Sequence, residues 1–105
     1  MLILNAFSIN MVAHFPATIS VDEISLATVR DLVSYSSIDS AVGHTETAAI
    51  FSSLLGVAVP MQRRTVTLEC GDVAIIGQYR GPRLPEGATT LPTDATIVWY
   101  RVAVS

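Results

Sequence analysis

The sequence predicts one α/β domain, with about five strands in a mixed sheet and two main helices packed on it. Three observations carry this prediction. The 105 residues suffice for a single domain with a real core, since 50% are hydrophobic and only 14% charged. Two segments repeat apolar residues at helical spacing, and short β-branched or alternating runs lie before, between and after them. No internal repeat, low-complexity block or linker interrupts the chain, so residues 1–105 read as one domain.

The elements follow in order. Leu2 to Ala6 is a short apolar run, read as a buried strand. After Pro16, Ala17 to Asp22 alternates around Ile19 and Val21 and reads as a second strand. Ser25 is placed to cap a helix running to about Ser34, whose buried stripe is Leu26, Val29, Leu32 and Val33. Ile38 to Gly43 stays open between irregular chain and a short strand. Thr45 reads as the cap of a second helix ending at Leu55 and stopped by Gly56. Its apolar face is Ala48, Phe51, Leu54 and Leu55. Thr65 to Leu68 and Val73 to Tyr79 read as a hairpin around the turn Cys70-Gly71-Asp72. Glycine and proline then concentrate between Gly77 and Pro92, which reads as a long loop. Thr96 to Val104 is the clearest strand, through Ile97, Val98, Trp99, Tyr100, Val102 and Val104. Strand order and direction are left open by the sequence.

Composition excludes several function classes. The formal net charge is −3, and all six positive residues are arginines: Arg30, Arg63, Arg64, Arg80, Arg83 and Arg101. A polybasic face for long nucleic acid is therefore not expected, because non-specific phosphate binding needs many cations on one surface. A small anionic ligand held by a few placed arginines fits. Cys70 is the only cysteine, so one chain can build neither a disulfide framework nor a cysteine zinc cluster. His14 and His44 lack metal-ligand spacing, and no metal or other cofactor is expected. The longest apolar stretch, Ala48 to Met61, is too short to span a bilayer, and Met1-Leu2-Ile3-Leu4 lacks the basic start of a signal peptide. A cytoplasmic protein is the expectation.

Three stretches hold groups suited to chemistry. In Gly43-His44-Thr45-Glu46-Thr47, a histidine precedes a helix N-terminus, where free backbone N–H groups and the helix dipole favour an anion. Simple packing or capping is the competing role. In Gly81-Pro82-Arg83-Leu84-Pro85-Glu86-Gly87, Arg83 has the forked donors that suit phosphate oxygens, and Glu86 can orient it or a substrate hydroxyl. A local ion pair on a surface loop is the alternative. Asn5-Ala6-Phe7-Ser8-Ile9-Asn10-Met11 places neutral polar groups after the first strand, a frequent ligand position in α/β sheets, although turn and cap roles explain them equally. Arg63-Arg64 precedes the predicted hairpin, whose alternation would send one arginine to each face.

Taken in order, Asn5 to Met11, Phe15-Pro16, Gly43-His44 with Thr47, Gly56, Arg63 and Arg83 to Gly87 form a series that spans almost the whole chain. That series resembles the viral ring nuclease family, the type III anti-CRISPR proteins. The resemblance implies a compact homodimer that binds cyclic tetra-adenylate and cuts it, without metal, into linear di-adenylates. By resemblance His44 is the general acid, Arg83 neutralises charge on the phosphorane, and Glu86 is its acidic partner. Asn5, Ser8 and Arg63 match ligand-contacting positions, as does Gln78 across a Gly81-Pro82 insertion. Gln62 departs from an asparagine common before the arginine, and the stretch from Gly87 to Thr96 is short and carries Pro92, where some relatives have a helix. His14, Cys70, Trp99 and the three methionines match no function. The partners expected are the cyclic nucleotide and a second copy of the chain, with no membrane and no long nucleic acid. A sponge that sequesters the ring without cutting it is the alternative function.

Overall fold

A computed structural model describes all residues, Met1–Ser105. Five strands form one sheet: β1 (Leu2–Leu4), β2 (Ile19–Ile24), β3 (Asp39–Ala41), β4 (Val73–Arg80) and β5 (Thr96–Val104). Two helices, α1 (Leu26–Ser34) and α2 (Thr45–Leu55), and one 3-10 turn, Ile9–Met11, complete the elements. The strand order is β2-β5-β4-β1-β3. β1 pairs in parallel with both β3 and β4, whereas β5 runs antiparallel to both β2 and β4. The sheet is therefore mixed, and its short inner strand β1, next to the β3 edge, has parallel neighbours on each side.

Alternation along the strands separates two apolar layers. On one face Ile3, Val42, Ile75 and Trp99 pack with Val29 and Val33 of α1 and Ala48, Phe51 and Leu55 of α2. On the other, Leu4, Ala41, Ala74, Ile76, Val102 and Val104 are covered by Val12, Val66 and Leu68 from irregular chain. Both helices thus lie on one side, with loops on the other.

The helices form for the predicted reasons, with one shift. Ser25 caps α1, its hydroxyl accepting from the Thr28 N–H at 3.1 Å. The cap of α2 is His44 rather than Thr45, which is already the first helical residue. Gly56 ends α2 in the left-handed region, at φ 71°.

Three other expectations are corrected. Thr65 to Leu68 is not a strand paired with Val73 to Tyr79. Leu68 bridges Val12 instead, and its N–H donates to Met11 O at 2.6 Å. The turn before Asp72 does form, with the Asp72 N–H donating to Glu69 O, but it delivers β4 between β1 and β5. Both edges of β4 are occupied, so no edge remains for a hairpin partner. With no strand there, alternation does not place the two arginines: Arg63 bonds Gly43 O, while Arg64 bonds Ser40 O and pairs with Asp39 at 2.6 Å. Gly77 likewise belongs to β4, and the loop begins only after Arg80.

Glycine at 77 answers to packing. A Cβ there would sit 2.5 Å from Phe51 Cζ and 2.7 Å from Trp99 Cζ3, inside the tilted aromatic pair whose centroids are 4.8 Å apart. The helix reaches the sheet at this point because the strand carries no side chain. Gly77→Ala is therefore expected to destabilise the fold by about 1–3 kcal/mol through overpacking. Urea unfolding followed by the fluorescence of Trp99, the sole tryptophan, checks this; an unchanged midpoint would show that the ring pair moves aside freely.

Candidate functional site

The three parallel strands β1, β3 and β4 end at the same edge of the sheet, and the candidate residues follow those ends. Asn5 comes directly after β1, and Gly43-His44 connects β3 to α2. β4 continues to Arg80, four residues past Ile76, the partner of the last residue of β1. At the usual rise this extension is about 13 Å, which carries the loop from Gly81 to Glu86 above the edge.

Gly43 is held on both of its peptide groups. Its N–H donates to Asn5 Oδ1 at 3.2 Å, and its carbonyl accepts from Arg63 Nε at 3.1 Å and a terminal guanidinium nitrogen at 2.9 Å. Two residues matched to ligand contacts thus position the peptide immediately before His44. His44 itself is exposed, with φ −131° and ψ 132°, and its side chain makes no cap hydrogen bond. The imidazole is left free at a helix start, where the N–H groups of the first turn lack intrahelical partners.

A hollow of about 460 Å³ opens beside it, lined by His44, Glu46, Thr47, Tyr79, Gly81, Arg83 and Leu84. A second, of about 620 Å³, shares Glu46, Arg83 and Leu84 with it and adds Pro85 and Glu86. His44 lines the first hollow, Glu86 the second, and Arg83 both. No ion pair joins Arg83 to Glu86; the two ion pairs of the chain are Arg64–Asp39 and His14–Glu69. Both loop side chains are exposed and unengaged, which leaves the forked donors of the Arg83 guanidinium free.

Two ligand-binding candidates do not join this cluster within one chain. Ser8 caps the 3-10 turn, accepting from the Asn10 N–H at 3.3 Å. Gln78 lies on the loop-covered face of the sheet, in a small hollow with Phe7, Val21, Ile76, Tyr100 and Val102. Its neighbour Tyr79 faces the helices and lines the His44 hollow, as alternation requires. Glu46 and Tyr79 are the site residues that sequence reasoning passed over. Glu46 stands two residues after His44 in the first turn of α2, a position open to inspection once the cap is moved to His44. No group of three or more His, Cys, Asp or Glu residues is placed to hold a metal ion. No helix is long and apolar enough to cross a membrane.

Fold and site together define an α/β protein with a surface hollow where the start of α2 meets the loop that carries Arg83 and Glu86. The chain belongs to the STIV B116-like family, whose model matches residues 1–98. Among solved structures it is similar to B116 of Sulfolobus turreted icosahedral virus, with 28% identity over 97% of each chain and a TM-score of 0.81. No curated protein matches the chain. The family match thus takes in β1 to β4, both helices and the start of β5.

Asn5→Ala removes the acceptor of a part-buried N–H and is expected to cost about 1–2 kcal/mol. In a ¹H–¹⁵N spectrum the Gly43 and His44 amides should shift most; shifts confined to residues around Ala6 would show that Asn5 does not hold the His44 turn.

Proposed function

We propose that the chain is a metal-independent ring nuclease that binds cyclic tetra-adenylate between two copies and cuts it into linear di-adenylates. The observation that carries this reading is the pair of adjoining hollows at the N-terminus of α2, one lined by His44 and Arg83 and the other by Arg83 and Glu86. Family membership and the full-length likeness to a viral protein support it further.

The chemistry follows from the groups present. The ribose 2′-hydroxyl gives up its proton to solvent and attacks the adjacent phosphorus in line, forming the new P–O2′ bond as the P–O5′ bond breaks. The product ends are a 2′,3′-cyclic phosphate and a free 5′-hydroxyl. Because the nucleophile belongs to the substrate, holding it in line supplies much of the acceleration, and no activated water is needed. His44 gives its proton to the departing O5′. Arg83 meets the charge that grows on the equatorial phosphoryl oxygens, and Glu86 orients Arg83 or the attacking hydroxyl. A ring of four identical nucleotides contains a two-fold axis, so two copies of one chain present the same set to opposite linkages. Carried by a virus, such an enzyme would silence type III CRISPR signalling; carried by a cell, it would reset the messenger.

The sponge reading draws on one feature of the site: no hydrogen bond orients the His44 side chain. Incubation with cyclic tetra-adenylate in EDTA separates the two. Under single-turnover conditions di-adenylate is expected, and intact ring would end the enzymatic reading, with tight binding then favouring the sponge. His44→Ala should still bind the ring while cutting at least about 100-fold more slowly, the usual scale for losing a general acid. Cutting at the original rate would remove His44 from that role.

A further inference from the structure

Arg83 and Glu86 have no side-chain partners, so their placement depends on the backbone that carries them. That segment is secured just outside each end. On its N-terminal side the Tyr79 hydroxyl donates to the Pro82 carbonyl at 2.6 Å. On its C-terminal side the Gly87 N–H donates to Glu46 Oε1 at 3.4 Å. Between them a turn closes, with the Ala88 N–H donating to Pro85 O at 3.1 Å. The root of the loop is also tight: a Cβ on Gly81 would lie 2.6 Å from Ala95 Cβ and 3.0 Å from the Tyr79 hydroxyl. The chain therefore leaves β4 through a gap that Tyr79 itself helps to define.

The two anchors come from different elements. Tyr79 belongs to β4 and is half-buried on the helix face, whereas Glu46 sits on the first turn of α2, directly after the His44 cap. A bond from Glu46 to Gly87 thus ties the histidine's helix to the loop that bears Arg83 and Glu86. We propose that Tyr79 and Glu46 are positioning residues, a two-point clamp that holds Arg83 and Glu86 in register with His44. The kinetic consequence rests on the ring-nuclease reading; the clamp as a structural device does not. A carboxylate in the first helical turn also gains from the helix dipole. Glu46→Gln separates the roles, because it keeps an acceptor oxygen for Gly87 and loses the charge.

Two measurements on the full chain test the clamp. In single-turnover cleavage of cyclic tetra-adenylate, Tyr79→Phe and Glu46→Ala should each cut about tenfold more slowly, since misplaced groups lose the in-line geometry. Their affinity for the ring should stay within about twofold of the original, because the lost interaction acts in the transition state. Glu46→Gln should recover most of the rate. In parallel, ¹⁵N relaxation should show the amides of Arg83, Leu84, Glu86 and Gly87 gaining fast motion in Tyr79→Phe and Glu46→Ala, with thermal midpoints nearly unchanged. Unchanged rates together with unchanged relaxation would overturn the clamp, as would Glu46→Gln matching Glu46→Ala in both readouts. If the unmodified chain leaves the ring intact, the ring-nuclease reading fails alone. The relaxation data then decide: gained motion upholds the clamp, and unchanged motion overturns it.

Discussion

The placement of β1 between two parallel neighbours governs the rest of the molecule. Parallel strands cannot be joined by tight turns, so the chain must travel back along a face of the sheet before each new parallel strand. Between β1 and β3 the chain also builds edge strand β2, which points the same way as β1, and then returns through α1; between β3 and β4 the return includes α2. Only three residues of β1 are needed, because Ile3 and Leu4 are each nearly fully buried, one per face. A further consequence is directional. The carboxyl ends of β1, β3 and β4 share one edge, which is where ligands bind in many sheets of this kind. Asn5, His44 and Arg83 are far apart in sequence and come to one end of the sheet because each follows a strand of the same direction.

Elements whose signals lie within their own residues were legible from sequence. The Ser25 cap and the stripe of Val29 and Val33 locate α1 without reference to any neighbour, and β5 announces itself through alternation. Thr65 to Leu68 misleads for a complementary reason. Val66 and Leu68 are buried like alternate strand residues, yet they cover the sheet instead of joining it. Alternating burial is shared by a strand and by an extended strap lying across a sheet; the difference is where the backbone hydrogen bonds go, and sequence does not record that. Gly77 shows the same limit. A glycine near Gly81 and Pro82 reads as loop, but its role is to admit Phe51 against Trp99, a contact between residues far apart in the chain.

The site was legible as a set of residues and illegible as an arrangement. Gly43-His44 and Arg83 to Glu86 were recognisable pieces, and the structure brings them to two adjoining hollows. Their supports were not recognisable, because Asn5 and Arg63 act through the two peptide groups of Gly43, a glycine with no side chain to advertise the contact. Gln78 fails to join the others for a reason set by strand periodicity. Tyr79 faces α2, so its neighbour must face away. Under the ring-nuclease reading, any contact from Gln78 to the ligand has to come from a second copy or from a part of the ring that reaches the opposite face.

Charge bears directly on how such a ring would be shared between copies. Four of the six arginines are occupied within the chain: Arg30 on Leu54 O, Arg63 on Gly43 O, Arg64 on Asp39, and Arg80 on the Tyr100 hydroxyl. Arg83 is the one guanidinium in the two hollows, and two carboxylates, Glu46 and Glu86, share their walls. A ring with four phosphates would meet one free cation and two anions in a single chain, which opposes binding. Two copies related by a two-fold axis would offer two Arg83 groups and two helix starts. Each copy's Arg63, held at the neighbouring Gly43 carbonyl but still charged, brings the cations to four, and the same doubling brings the carboxylates to four. Under the ring-nuclease reading, two-fold symmetry therefore leaves the ratio of charges as it was and acts by presenting one Arg83 and one helix start to each of two opposite linkages.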